Sequence, residues 1–156
     1  MALPKKLKEC LTKNKARYKV STHKEAFTSQ EVAAAQHVPG KELAKVVVVK
    51  GGDDFVMAVL PASYSLILEK LKKLLKVKSV RLAKEKEMES LFPDCEVGAM
   101  PPFGNLYNLT TYVDKSLSEN ESIVFEAGDH RHTLKMKYKD FDKLTQPRLE
   151  EFAKHL

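Results

Sequence analysis

Four valines in a row, Val46–Val49, constrain this chain more than any other stretch. β-branched side chains crowd a helix and pack well on a pleated surface. A strand without polar alternation is buried on both faces. Ala44–Val49 is therefore expected to be a central strand in a sheet covered on both sides. Gly51-Gly52-Asp53-Asp54 then supplies turn residues, and Phe55–Leu60 returns as the second arm of a hairpin that Pro61 ends.

Around this hairpin the chain alternates between helix and strand patterns. Thr28-Ser29-Gln30-Glu31 matches a capping box, and the helix it opens stops before Pro39-Gly40. Leu3, Leu7 and Leu11 predict a basic helix over residues 3–14. Ile67, Leu71, Leu74 and Leu75 predict an amphipathic helix over 64–76, with a short helix at Lys84–Leu91 and others at Tyr138–Leu144 and Arg148–His155. Strands are expected at Tyr18–Ser21, Val77–Leu82, Leu106–Val113, Ser122–Glu126 and Thr133–Met136. Phe92–Gly104, rich in Pro and Gly, reads as a stiff loop. The sum is an α+β or mixed α/β fold, one domain over residues 1–156 on a curved mixed sheet flanked by helices.

At 156 residues with 43% hydrophobic and 31% charged side chains, the chain is neither disordered nor membrane-like in composition. Its apolar runs fall far short of the ~20 residues of a spanning helix. The N-terminus is basic but has no apolar segment behind it, so a cytoplasmic location is expected. Cys10 and Cys95 form no CxxC pair and are expected to be free thiols.

The net charge is +6 and unevenly spread. Lys5, Lys6, Lys8, Lys13, Lys15, Arg17 and Lys19 crowd the first segment; Lys70, Lys72, Lys73, Lys76, Lys78, Arg81, Lys84 and Lys86 form a second basic stretch; residues 114–129 are acidic. Such a map fits a phosphate-backbone partner as well as it fits a solvated lysine surface.

Three places can carry chemistry. Lys45 opens the valine strand, where a charge is costly unless it reaches solvent, a partner or an open site. Gly98-Ala99-Met100-Pro101-Pro102-Phe103-Gly104 can aim successive backbone N–H groups at one point, as an oxyanion requires, or be an ordinary turn. Gly128-Asp129-His130-Arg131-His132 joins two strands, and a neutral imidazole at His130 can donate to a carbonyl or a hydroxyl. A metal site would need a further ligand near His130 and His132, and His23, His37 and His155 are scattered, so no metal or cofactor is expected. No GxSxG, P-loop, GxGxxG or HExxH occurs, and Asp94 and Glu96 beside Cys95 disfavour a thiolate.

Taken in order, Phe27–Ala33, Lys45 before Val46–Val49, the Gly98–Gly104 loop and Phe125-Glu126-Ala127-Gly128-Asp129-His130 resemble the YbaK family of aminoacyl-tRNA deacylases. The same editing fold occurs as an insertion in bacterial prolyl-tRNA synthetases. The resemblance runs from about Tyr18 to Leu144 and implies a compact domain around a barrel-like mixed sheet. It implies that Lys45 is the essential lysine near the terminal adenosine, and that Gly98–Pro102 holds the aminoacyl group and its carbonyl oxygen. Gly128 and His130 would line the same pocket. Phe27, Thr28, Val46, Met100, Pro101, Phe103, Gly104 and Asp129 become substrate-binding positions. Water would attack the ester with help from a ribose hydroxyl, without metal or covalent nucleophile. Several relatives carry a polar residue where this chain has Val46, so the substrate does not transfer.

The resulting expectation is a free-standing deacylase for a tRNA mischarged with a small amino acid: Ala, Cys, Ser or Thr. Its partner would be aminoacyl-tRNA, with the N-terminal lysines and Arg17 on the tRNA, and no membrane or DNA. A synthetase pocket gains only about 1–3 kcal/mol from one methylene, which is why a second, hydrolytic site is useful. Rival readings are a non-catalytic tRNA- or oligonucleotide-binding module on this fold and a regulatory partner of an aminoacyl-tRNA synthetase.

Overall fold

The computed structural model describes residues 3–36 and 38–156; His37 lies outside them. The elements run α1 (Lys5–Lys13), β1 (Lys19–Thr22), α2 (Ser29–Gln36), β2 (Leu43–Gly51), β3 (Asp54–Pro61), β4 (Tyr64–Leu66), α3 (Leu68–Leu75), β5 (Val80–Leu82) and α4 (Glu85–Leu91). There follow β6 (Thr110–Asp114), β7 (Ser122–Glu126), β8 (His132–Lys137), α5 (Tyr138–Thr145), β9 (Arg148–Glu150) and β10 (Ala153–His155).

Eight strands form one mixed sheet in the order β1-β8-β7-β2-β3-β6-β9, with β5 also paired to β2. β2 and β3 are antiparallel from Ala44↔Pro61 to Gly51↔Asp54, while β2 pairs parallel with β7 and β3 with β6. This is the mixed α/β architecture the alternation of patterns predicts.

The valine strand is covered on both faces, as its composition requires. Ala44, Val46 and Val48 pack with Phe92, Phe103, Phe125 and Phe141, under α1 through Leu7 and Leu11. On the other face, Val47 and Val49 pack with Leu71 of α3 and with Phe152. Leu43 joins a third cluster with Val32 and Ala33 of α2. The capping box of α2 forms: the Glu31 amide donates to Thr28 Oγ1 at 3.1 Å, and the Thr28 amide to Glu31 Oε1 at 3.4 Å.

Three expected elements differ. The helix expected at 64–76 is shorter, because Tyr64–Leu66 is a strand paired with Ala153–His155. The helix expected at 148–155 is absent: Arg148–Glu150 lies parallel to Tyr112–Asp114, and the chain then crosses to β4. The strand expected at 106–113 begins only at Thr110, because Gly104–Tyr107 is a single 3-10 turn. In each case pairing or packing with distant residues overrides a local preference.

Candidate active site

Side chains alternate along β2, so Leu43, Lys45, Val47 and Val49 share one face. Leu43 is covered by α2, and Val47 and Val49 by α3. Lys45 falls in the uncovered interval between these two helices. It is half-buried and makes no ion pair among the described residues. Burial without a counter-charge holds its ammonium below the usual lysine pKa.

The sheet is split beside it. β7 pairs with β2 only at Leu43 and Ala44, and β5 only from Val49 onward. The Val48 carbonyl accepts the Ala83 amide at 2.9 Å, so the backbone groups of Val48 point away from β3. Two residues earlier, those of Val46 point the same way. The Val46 N–H and C=O therefore meet no strand among the described residues.

The loop before β6 fills the far side of the split. The Gly128 amide donates to the Ala99 carbonyl at 2.9 Å, and the Glu96 amide to the Gly128 carbonyl at 2.8 Å. The His130 amide donates to Glu96 Oε1 at 3.0 Å. The loop is thus stitched to the turn between β7 and β8. Asp129 braces that turn, accepting from the amides of Arg131 and His132 at 2.9 and 2.8 Å. Its partial burial works against ionisation, but these amides and the His132 ring outweigh it and hold the carboxyl below its usual pKa.

Phe27, Ala44, Lys45, Val46, Gly98, Met100 and Glu126 enclose a cavity of about 140 Å³ at the split. That is roughly the space of four to five waters. Two residues of its wall, Gly98 and Met100, carry backbone N–H groups with a weak acceptor or none. The Gly98 N–H is met only by the Met100 thioether, at 3.2 Å, a weak acceptor. The Met100 N–H has no acceptor among the described residues. Gly98 can hold this geometry because its φ is +89°, a region that side chains disfavour.

The sequence-derived site residues divide into three groups. Lys45, Gly98, Met100, Val46 and Phe27 meet at the cavity. Gly128, Asp129 and His130 stand behind it. The His130 ring lies against Phe27, centroids 4.8 Å apart, and its Nε2 donates to the Val97 carbonyl at 2.9 Å. That nitrogen is used within the fold, so His130 shapes the loop and has no free Nε2–H to offer a substrate. Pro101, Pro102, Phe103 and Gly104 are buried and support the loop from the core: Phe103 stacks against Phe125 and Phe141, and a Cβ at Gly104 would collide with Thr111 and the Leu109 carbonyl. Thr28 serves as the cap of α2.

Lys5, Lys8, Lys13, Lys15 and Arg17 are exposed. Lys6 sits 5.0 Å over the Tyr107 ring, in a separate groove of about 770 Å³ with Gly51 and Asp53 at the far end of the β2–β3 hairpin. Gly51 at that end lies six positions along β2 from Lys45, roughly 20 Å. Cys95 is no nucleophile: burial, with Asp94 beside it, pushes its thiol up to about 12.

One residue of the cavity does not stand out in the sequence. Glu126 is largely buried, and burial together with Asp129 and Glu96 raises its pKa to about 8. A lone glutamate ending a strand carries no local signal; only the tertiary split turns it inward.

A small cavity that brings a half-buried lysine together with Gly98 and Met100 of a glycine- and proline-rich loop is a candidate active site. The family model of the aminoacyl-tRNA editing domain matches residues 23–144, and the chain belongs to that family. A proline–tRNA ligase of Thermosipho africanus (strain TCF52B) is 36% identical over 77 residues, 49% of this chain and 14% of that ligase. The chain therefore corresponds to a small part of the ligase's length. Two solved structures share the fold. Hypothetical protein APE2540 has a TM-score of 0.85 at 21% identity, covering 96% of this chain and 100% of its own. A candidate trans-editing enzyme for prolyl tRNA synthetase has a TM-score of 0.84 at 21% identity, covering 97% and 96%. No helix among the described residues is long and apolar enough to cross a membrane.

Proposed function

We propose that this protein hydrolyses the ester of a tRNA mischarged with a small amino acid, acting in trans. The observation that carries the reading is the meeting of a half-buried, unpaired Lys45 with the Gly98 and Met100 amides around a cavity of about 140 Å³. Water adds to the ester carbonyl carbon while a ribose hydroxyl of the substrate assists its deprotonation. The carbonyl oxygen becomes an oxyanion within reach of the Gly98 and Met100 N–H groups. The C–O bond to the ribose then breaks, the ribose oxygen takes up a proton, and the free amino acid leaves. Lys45 draws in the phosphate of the terminal adenosine, and its desolvated charge acts more strongly there than at an open surface. Phe27, 61% exposed at the rim, offers an apolar platform at the entrance.

Cavity size supports a small acyl group: Ala, Cys, Ser or Thr. The test is a deacylation screen with tRNAs carrying each of the four, using wild type and Lys45→Ala. The expected result is turnover of at least one substrate and a loss of about ten- to hundredfold in kcat/KM in the variant, the scale of losing a charge-assisted contact to the phosphate. Salt-sensitive tRNA binding with no turnover would instead favour a binding module.

A further inference from the structure

Glu126 follows Phe125, which pairs with Ala44. β7 leaves β2 after that pair, and Glu126 and Lys45 line the same cavity across the gap. Its two carboxyl oxygens have different surroundings. Oε2 is fully buried without a hydrogen-bond donor, 3.5 Å from His130 Nδ1, which is likewise buried without a partner. Because His130 Nε2 donates to the Val97 carbonyl, Nδ1 of the neutral ring is an acceptor. At 3.5 Å the two atoms face each other just beyond hydrogen-bond range, and a proton on either would join them after a small approach. Oε1 is left unprotonated in either arrangement. It has no donor among the described residues and is the oxygen available to the cavity.

We propose that Glu126 Oε1 binds the α-ammonium group of the acyl moiety, making Glu126 the residue that selects an aminoacyl ester over an acyl ester without that charge. This rests on the deacylase reading of the same site. The polarity supports it: the acylated end of a tRNA carries a phosphate anion and an ammonium cation, and the cavity offers the Lys45 ammonium to the first and, to the second, a Glu126 carboxyl that the arriving cation would help to ionise. The rest of the lining, from Phe27, Ala44, Val46 and Met100, is apolar in its side chains, so no other carboxylate competes for the ammonium there. The raised pKa of the empty site agrees with a carboxyl that lacks a cation, which the substrate would supply.

The experiment uses two esters on the same tRNA: the acyl group hydrolysed fastest in the screen, and its α-hydroxy analogue, such as lactyl in place of alanyl. Each kcat/KM is divided by the spontaneous hydrolysis rate of the same ester. Wild type should prefer the amino ester by about ten- to hundredfold, the range of a charge-assisted hydrogen bond. In Glu126→Gln the two esters should converge to within about threefold. Glu126→Asp, which keeps the charge, should retain a preference of the same sign and guards against a folding defect in the first variant. An equal loss on both esters in Glu126→Gln, or a wild type that treats them alike, overturns the assignment while leaving the deacylase reading intact. A wild type that hydrolyses neither ester overturns both.

Discussion

The buried carboxylate of Asp114 accepts the Phe152 amide at 2.8 Å, across 38 residues of chain. The same oxygen accepts the Ala153 amide at 3.0 Å, and the other accepts the Ser116 amide at 3.1 Å. One side chain at the end of β6 thus fastens the C-terminal segment and seats Phe152 in the cluster under α3. Asp114→Ala would leave those donors buried and unsatisfied. The expected cost is about 3 kcal/mol. At roughly 2–4 °C per kcal/mol for a chain of this size, thermal unfolding should start about 6–12 °C lower. Asp114→Asn, which keeps one acceptor oxygen, should lose less.

That anchor explains why the C-terminal strands are illegible in the sequence. Residues 148–155 are locally helix-compatible, but β6 and β4 each need a neighbour, and Asp114 fixes the crossing between them. Tyr64–Leu66 is hidden for the same reason, since its partner is almost ninety residues away. By contrast, the valine strand, its Gly-Gly-Asp-Asp turn and the Thr28 capping box are specified by neighbours in sequence and are legible there. The site follows the same division. Lys45 stands out because a charge opens an apolar strand, and Gly98 because it sits beside two prolines. Glu126 does not stand out, because only the separation of β7 from β2 gives it a cavity to face.

Gly98→Ala tests the loop independently of any charge. An added Cβ would meet only His130 Cε1, at 3.6 Å, an ordinary contact. The cost is backbone strain at φ +89°, on the order of 1–3 kcal/mol. Relief of that strain would re-aim the Gly98 and Met100 amides. Deacylation should fall about tenfold or more, with a modest drop in melting temperature and little change in tRNA affinity. A variant as active as wild type would remove these amides from the catalytic role.

Glu126 should also mark the pH dependence of stability. Its folded pKa of about 8 lies above the ordinary 4.5. Between those values the folded protein keeps a proton that the unfolded chain has released. Stability from this group is therefore complete below about pH 4.5 and is lost as pH rises towards 8. The groups facing it are His130, Asp129, Glu96 and Lys45, and their own contributions should largely cancel when variant and wild type are compared. Glu126→Gln should gain melting temperature relative to wild type as pH is raised from 5 to 8.5. A constant difference across that range would show that the carboxyl ionises normally.

The basic N-terminal segment offers a prediction that separates binding from chemistry. Leu7 and Leu11 fix α1 to the core, leaving Lys5, Lys8 and Lys13 exposed. The far end of the hairpin that α1 borders lies roughly 20 Å from Lys45 along β2, too far to touch an acyl group yet within the length of an acceptor stem. Replacing these three lysines with glutamine should weaken tRNA binding and lower the slope of log affinity against log salt by about one for each phosphate no longer neutralised. The rise should appear in KM, with kcat near the wild-type value. Lys6 is left in place because its ammonium lies over the Tyr107 ring, so its replacement would change a packing contact as well as a charge. An unchanged salt slope would mean that α1 is a solvated face.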